Sequence, residues 1–474
     1  MKFDQANIIE NIAKAKKLLN NPKHCSAEFG VIISLILSLF ELLLPRLFKN
    51  SKNSSIPPSQ DPNSNRNKNK NGKSNKKPGG QPGRQGKNLT LFAKPDEIIE
   101  IKINRKTLPS FHTYTSVGIA KRQVVDIIVS RHVREYQLEV LQDENGKIYT
   151  AEAPKGAGRP VQYGTSVKAM AVYLSMFQLL PYARLEDYFV AQADIPVSAG
   201  SLCNFNQEAF DLLAGFEEKA KNSLVIADII HTDETSININ GKKHWLHNAS
   251  NDLWTLLMPH ETRGTKAMEA MDILPYFKGV MIHDHWAPYF TYKECKHALC
   301  NAHHLRELQA VIESAPQNTW AAKMKEFLLE VNENKIKNNG VPKMQIEIYK
   351  TKYLEILKIG DKECPPPIRL NTAKKCGRIK KSKERNLLER LCNFQEETLR
   401  FMTREDVPFT NNQGERDIRM IKVQQKISGC FKSIDSAKIA CRIRSYLLTC
   451  QKHGIAATDA LNTLFNGSLP EFCR

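Results

Sequence analysis

The sequence predicts an α/β fold, and three observations predict it. Residues Val225 to Met258 carry strand-like runs broken by turn residues, residues 279–284 form a short apolar run ending in an acid, and long helical stretches flank both. The first stretch, VIADIIHTDETSININGKKHWLHNASNDLWTLLM, reads as two or three antiparallel strands. A β-branched run is followed by a turn at Asn240-Gly241, a second run through Trp245, a turn near Asn251-Asp252 and a third run ending at Met258. Strand alternation puts the adjacent Asp233 and Glu234 on opposite faces, so that one enters a cleft while the other points away. An acid inside an apolar strand is costly to bury without a partner, and a metal ion is one candidate.

The run GVMIHD ends in Asp284, at the strand terminus where α/β folds commonly place functional carboxylates. Glu415 sits in NNQGERDIRMIKVQQK, where Asn411 or Asn412 is placed to cap a helix with Glu415 in its first turns. Two strand aspartates followed, after a long interval, by a helical glutamate is the order of a ribonuclease-H-like DDE core. In such a core Asp233, Asp284 and Glu415 would hold two magnesium or manganese ions for phosphoryl transfer. Arg419, Lys422 and Lys426 follow Glu415 at i+4, i+7 and i+11, on the same helix face, and are candidates to grip a DNA strand. The competing reading is an ion-paired solvent face. Cys295, His297, Cys300, His303 and His304 are zinc-ligand types at irregular spacing, which favours packing or substrate positioning for Cys300 and His303; Arg306 and Glu307 lie on the same predicted helix, 297–313.

Taken in order, residues 1–48 read as a helix whose apolar surface between Val31 and Leu47 packs on a partner helix, a second copy or its own core. Residues 49–90 form a basic linker rich in Ser, Asn, Lys, Pro and Gly, unable to bury enough apolar surface to fold alone. Residues 91–155 alternate in strand fashion (IIEIKI, VVDIIVSRHV, YQLEVL) and predict a small β domain; with His112 and His132 but no cysteine between Cys25 and Cys203, it lacks a zinc set. Residues 160–222 are helical and resemble a helix-turn-helix DNA-binding domain, with Ser198 or Ser201 as an N-cap. The catalytic core spans 223–313 and 401–450, interrupted by a helical insertion at 314–400 that contains Pro365-Pro366-Pro367 and the basic run Lys374 to Arg385; residues 451–474 form a C-terminal tail.

With 69 Lys plus Arg against 50 Asp plus Glu, a formal charge of +19, the composition predicts a polyanionic partner, nucleic acid before membrane. Eleven scattered cysteines and an N-terminus without signal-peptide layout predict a reducing cytoplasm. The most apolar run, Phe29 to Leu44, contains Glu41 and is shorter than the roughly 20 residues a membrane-spanning helix needs.

Six blocks together resemble the insertion-sequence-66 family of transposases: SKNSSIPPSQD, KKPGGQPGRQGKNL, HTDET, the HD of HDHWAPY, CNAHHLREL and NNQGERDIRMIKVQQKISGC. The resemblance implies a DDE transposase that cleaves DNA and transfers strands at the inverted-repeat ends of a mobile element, with Asp233, Asp284 and Glu415 at the catalytic positions. It also implies an N-terminal zipper-like helix and homo-oligomer, a helix-turn-helix, target DNA as a second partner, and small accessory proteins from the same element. The stretch near 92–135 that matches the family's zinc-binding segment has lost its cysteines. Two other readings fit the residues: a nuclease of the same fold that cuts without joining, and a DNA-binding regulator derived from a transposase that has lost catalysis.

Overall fold

The computed structural model describes residues 27–47, 89–154, 156–367 and 381–473, together with 11, 12, 14–16, 18, 50, 53 and 54. Most of the basic linker and the Lys374–Lys380 part of the basic run lie outside the described residues.

Helix α1 (Ala27–Leu47) presents Val31, Leu35, Leu39 and Leu43 to solvent, four residues apart along one face, so among the described residues no core of the chain covers this stripe. Among the described residues no helix is long and apolar enough to cross a membrane.

The alternating runs before residue 140 do not pair. Their apolar side chains stand in solvent, with Ile101 92% exposed, and the pairing in residues 91–155 is one short antiparallel ribbon, β1 (Val140–Gln142) with β2 (Ile148–Thr150), turned at Gly146. Alternation states which face a strand would bury, and among the described residues no second layer covers this segment to make burial worthwhile.

Helices α2 (Thr165–Val172), α3 (Tyr182–Ala193), α4 (Ala199–Leu212) and α5 (Ala214–Val225) follow. Ser198 caps α4, its Oγ accepting the Ser201 N–H at 3.2 Å. The chain then enters the central sheet: β3 (Ile229–Ile239), β4 (Lys242–Ser250), β5 (Thr255–His260), helix α6 (Thr265–Ala270), β6 (Val280–His283) and β7 (Lys296–Leu299). The strand order is β5-β4-β3-β6-β7; β3, β4 and β5 are antiparallel neighbours, while β6 and β7 run parallel to β3. Asn240 and Gly241, with φ of 47° and 78°, make the β3–β4 turn, as the dipeptide predicts.

Helix α7 (Asn301–Ser314) follows β7, then α8 (Trp320–Asn338), α9 (Lys343–Glu363), α10 (Lys383–Asn393) and α11 (Gln395–Thr403) occupy the span predicted as an insertion, and α12 (Asn412–Ser428), α13 (Ile434–Lys452) and α14 (Ala457–Phe465) follow. The predicted helix 297–313 begins only at Asn301; Lys296–Leu299 is strand β7, because a four-residue apolar run fits either element until a parallel neighbour claims it.

Two cores lie on opposite faces of the sheet. Met281 of β6 joins β3–β5, α2–α5, α13 and α14, while its neighbours Val280 and Ile282 join α7–α11. This period of two within one buried strand is how a parallel strand serves two helical layers. Residues 160–222 and 451–473 thus contribute to one core with the sheet, and Leu461 and Leu464 are buried. The β5 edge is closed by α13: Thr449 Oγ1 accepts the Thr255 N–H at 3.0 Å, and Ser445 Oγ accepts the Leu257 N–H at 2.9 Å.

Gly279 opens β6 where the backbone of β3 passes. A Cβ there would stand 2.5 Å from the Asp228 carbonyl oxygen and 2.6 Å from that of Ala227. Gly279→Ala is expected to cost about 1–3 kcal/mol in urea unfolding through forced separation of the two strands.

Candidate active site

Asp233 lies mid-strand on β3, opposite Asn248 of β4; Asp284 follows the last residue of β6, the parallel neighbour of β3; Glu415 is in the first turn of α12. Although far apart in sequence, Asp284 and Glu415 both lie near enough for their charges to act on the Asp233 carboxyl. Burial pushes the Asp233 carboxyl well above the ordinary carboxylate range, and the negative charges of Glu234, Asp284 and Glu415 push it further. Glu415 Oε1 is buried without a hydrogen-bond partner among the described residues. Asp284 Oδ1 accepts the Trp286 N–H at 2.9 Å, which fixes the carboxylate at the strand end.

Helix α12 is held over β3 along its length. Asn411 is its N-cap residue, as the sequence predicts, but its side chain makes no capping bond. Its amide instead donates to the Thr232 carbonyl at 2.8 Å, and its Oδ1 accepts the His231 Nδ1–H at 2.8 Å. The Asn411 N–H also points at Cys300 Sγ, 3.1 Å away, so one buried residue joins β3, the start of α7 and α12 beside the carboxylates. Gly414 leaves room for this amide, since a Cβ there would sit 3.1 Å from Asn411 Oδ1. Farther along, Gln425 Nε2 donates to the Asn238 carbonyl at 3.0 Å, and Phe431 bridges to Ile239. Asn411→Ala removes the hydrogen bonds that the Thr232 carbonyl and His231 Nδ1 make to this side chain in a buried site, an expected loss of about 1–3 kcal/mol in urea unfolding.

Arg419 and Lys426 are exposed on α12. Lys422 departs from the predicted free cationic stripe: it is half-buried, and its ammonium donates to the Ser236 carbonyl at 2.5 Å. Burial pushes its pKa down, helped by the nearby charges of Lys426 and Lys243. A cation already committed to a strand carbonyl fastens the helix before it grips any ligand.

Glu234 does not simply point away. Its side chain is 1% exposed, and Oε1 takes two bonds from Arg263, from Nε at 2.9 Å and from Nη2 at 2.6 Å, while Oε2 accepts the Tyr289 hydroxyl. The Arg263 guanidinium lies between two indoles, 4.8 Å from the Trp245 ring centre and 4.2 Å from that of Trp286. Burial still raises the Glu234 pKa, followed by the charge of Asp284. This network braces both the strand carrying Asp233 and the loop after Asp284. The insertion reaches the same loop: Phe394 packs edge-on against His285, and the charge of Arg390 and Asp284 act on each other.

The Cys/His cluster divides in two. His297 Nδ1 meets His283 Nε2 at 2.9 Å, and the Cys295 thiol donates to the Tyr292 carbonyl. Cys300 and His303 face Glu415, with ligand atoms of all three within 4.8 Å of one another. His304 is buried on Asn301, its Nδ1 3.0 Å from the Asn301 Oδ1.

The family model described as transposase IS66 family matches residues 160–439, more than half of the 474-residue chain. The chain belongs to that family. In this IS66-family transposase the matched segment holds Asp233, Asp284 and Glu415, the helices before the sheet and helices α7–α11. No curated protein matches it. Glu234 was readable in HTDET, but its partners Arg263 and Tyr289 were not, because nothing in spacing links residues joined only by the sheet turning back on itself.

Proposed function

We propose that this IS66-family transposase cleaves DNA at the ends of an insertion sequence and transfers the freed strand, using Asp233, Asp284 and Glu415 in a ribonuclease-H-like core. The observation that carries the reading is that the charges of Asp284, after the end of β6, and Glu415, on α12, both act on the Asp233 carboxyl of β3, which burial already raises above the ordinary carboxylate range. The strand order β5-β4-β3-β6-β7, three antiparallel strands followed by two parallel ones, supports the core assignment.

The donor set fits hard divalent cations. Mutually repelling buried carboxylates need positive charge between them, and a buried Glu415 oxygen without a partner is a free ligand atom. Two magnesium or manganese ions held by Asp233, Asp284 and Glu415 would activate the attacking oxygen and stabilise the leaving one. The chain's own residues do the positioning. Asn411 fixes Glu415 relative to β3, the Glu234–Arg263–Tyr289 network holds the Asp284 loop, and Arg390 brings positive charge beside Asp284. Arg419 and Lys426 contact DNA phosphates, with Lys422 between them tying their helix to the sheet. The solvent-facing stripe of α1 pairs with a second copy, giving a homo-oligomer able to hold two transposon ends.

The test is incubation of the full-length protein with duplexes carrying the element's terminal inverted repeats, with and without magnesium or manganese. Metal-dependent nicking and a strand-transfer product are expected; sequence-specific binding without cleavage at either metal would favour the regulator instead.

A further inference from the structure

We propose that Cys300, His303 and Glu415 form a second metal site, for a thiophilic divalent cation such as zinc, whose occupation draws Glu415 away from Asp233 and Asp284 and shuts phosphoryl transfer off. The site stands on its own residues; only the inhibitory consequence rests on the proposed DDE reading.

Sulfur, imidazole nitrogen and carboxylate oxygen lie within 4.8 Å of one another. In a tetrahedral zinc centre, ligand atoms about 2.0–2.3 Å from the metal stand about 3.3–3.6 Å apart, so modest side-chain rotation closes the set. Two further observations point to a ligand here. His303 Nδ1 and Glu415 Oε1 are both buried and both lack a hydrogen-bond partner among the described residues. Buried polar atoms are normally satisfied, and two orphans on different helices, in residues whose ligand atoms gather with one thiol, leave lone pairs for a cation.

The sequence supplies the geometry. Cys300 is the N-cap position of α7 and His303 lies in its first turn, while Glu415 lies in the first turn of α12. Asn411, whose N–H points at Cys300 Sγ, locks the two helix starts together. On binding, the Cys300 thiol releases its proton to solvent and a metal–sulfur bond forms; no electron is transferred. Three protein ligands leave a fourth position for water. Thiolate and imidazole select zinc, cobalt or cadmium over magnesium, whereas the Asp233–Asp284–Glu415 set has only hard oxygens. Glu415 is common to both sets, and that makes occupation of one antagonistic to the other.

The probe is cobalt(II) added to the full-length protein, read by absorption. A near-ultraviolet sulfur-to-cobalt charge-transfer band with the visible bands of tetrahedral cobalt is expected, displaced by zinc, unchanged in Cys295→Ser and lost in Cys300→Ser. His303→Ala, checked for native circular dichroism, weakens the band and keeps the test valid should Cys300→Ser fail to fold. No thiolate band in the wild type, or a band that survives both variants, overturns the site. In the cleavage assay, the zinc concentration for half-inhibition rises at least tenfold in Cys300→Ser, each protein referred to its own zinc-free rate. Equal zinc sensitivity overturns the switch while leaving a cobalt-binding site; a cobalt band in a protein that never cleaves DNA overturns the DDE reading alone.

Discussion

Asp233→Asn, Asp284→Asn and Glu415→Gln, each made singly, are expected to lower metal-dependent DNA cleavage by a factor of about 1,000 or more, since each removes a ligand from a two-metal site. The fold should survive, because each change keeps side-chain size and removes a charge from a crowded buried cluster. For Asp233 the stability change has a definite sign. Its carboxyl holds a proton more tightly in the fold than in the unfolded chain, so its contribution to stability is complete below the ordinary carboxylate range and is lost as pH rises through the raised folded value. In the presence of a chelator at neutral pH, Asp233→Asn should therefore melt at a higher temperature than the wild type, the two converging below about pH 4. Retained cleavage in all three variants sinks the assignment, and a lower melting temperature for Asp233→Asn contradicts the crowding.

Asp417→Ala is expected to destabilise the protein by about 3–5 kcal/mol, the cost of leaving a buried charge unpaired. Asp417 is two residues from Glu415 on α12, and its Oδ2 lies 2.9 Å from the Lys452 ammonium, with side-chain exposures of 4% and 12%. Lys452 also donates to the Asn251 and Trp254 carbonyls at 2.8 and 3.1 Å, so it ties the β4–β5 turn to α13. Asp417→Leu combined with Lys452→Met should recover most of the loss, because no lone charge then remains. Urea unfolding of the two single variants and the double variant measures this; a double variant as unstable as Asp417→Ala would mean that the polar network, not the charge, is what matters.

What was legible in the sequence were features with a local cause. The β3–β4 turn followed from Asn240-Gly241, the short strand before Asp284 from its apolar run, and the placement of Glu415 early in a helix from Asn411 and Asn412. What was not legible depended on distant chain. Strand β7 needed β6 beside it to be distinguished from the start of α7. The alternating runs between 91 and 139 carry a strand pattern but lack a covering layer. Asn411 read as a cap because Asn caps helices, yet the buried acceptors on β3 outcompeted its own helix for the amide. Lys422 read as one of three equivalent cations, and only the tertiary fold shows that the Ser236 carbonyl takes its ammonium.

The most direct test of the central claim is a crystal structure of the protein soaked in manganese, with anomalous scattering used to locate the ions. Two manganese peaks bridged by the Asp233, Asp284 and Glu415 carboxylates are expected. Manganese bound elsewhere, with Glu415 remote from both aspartates, would contradict it.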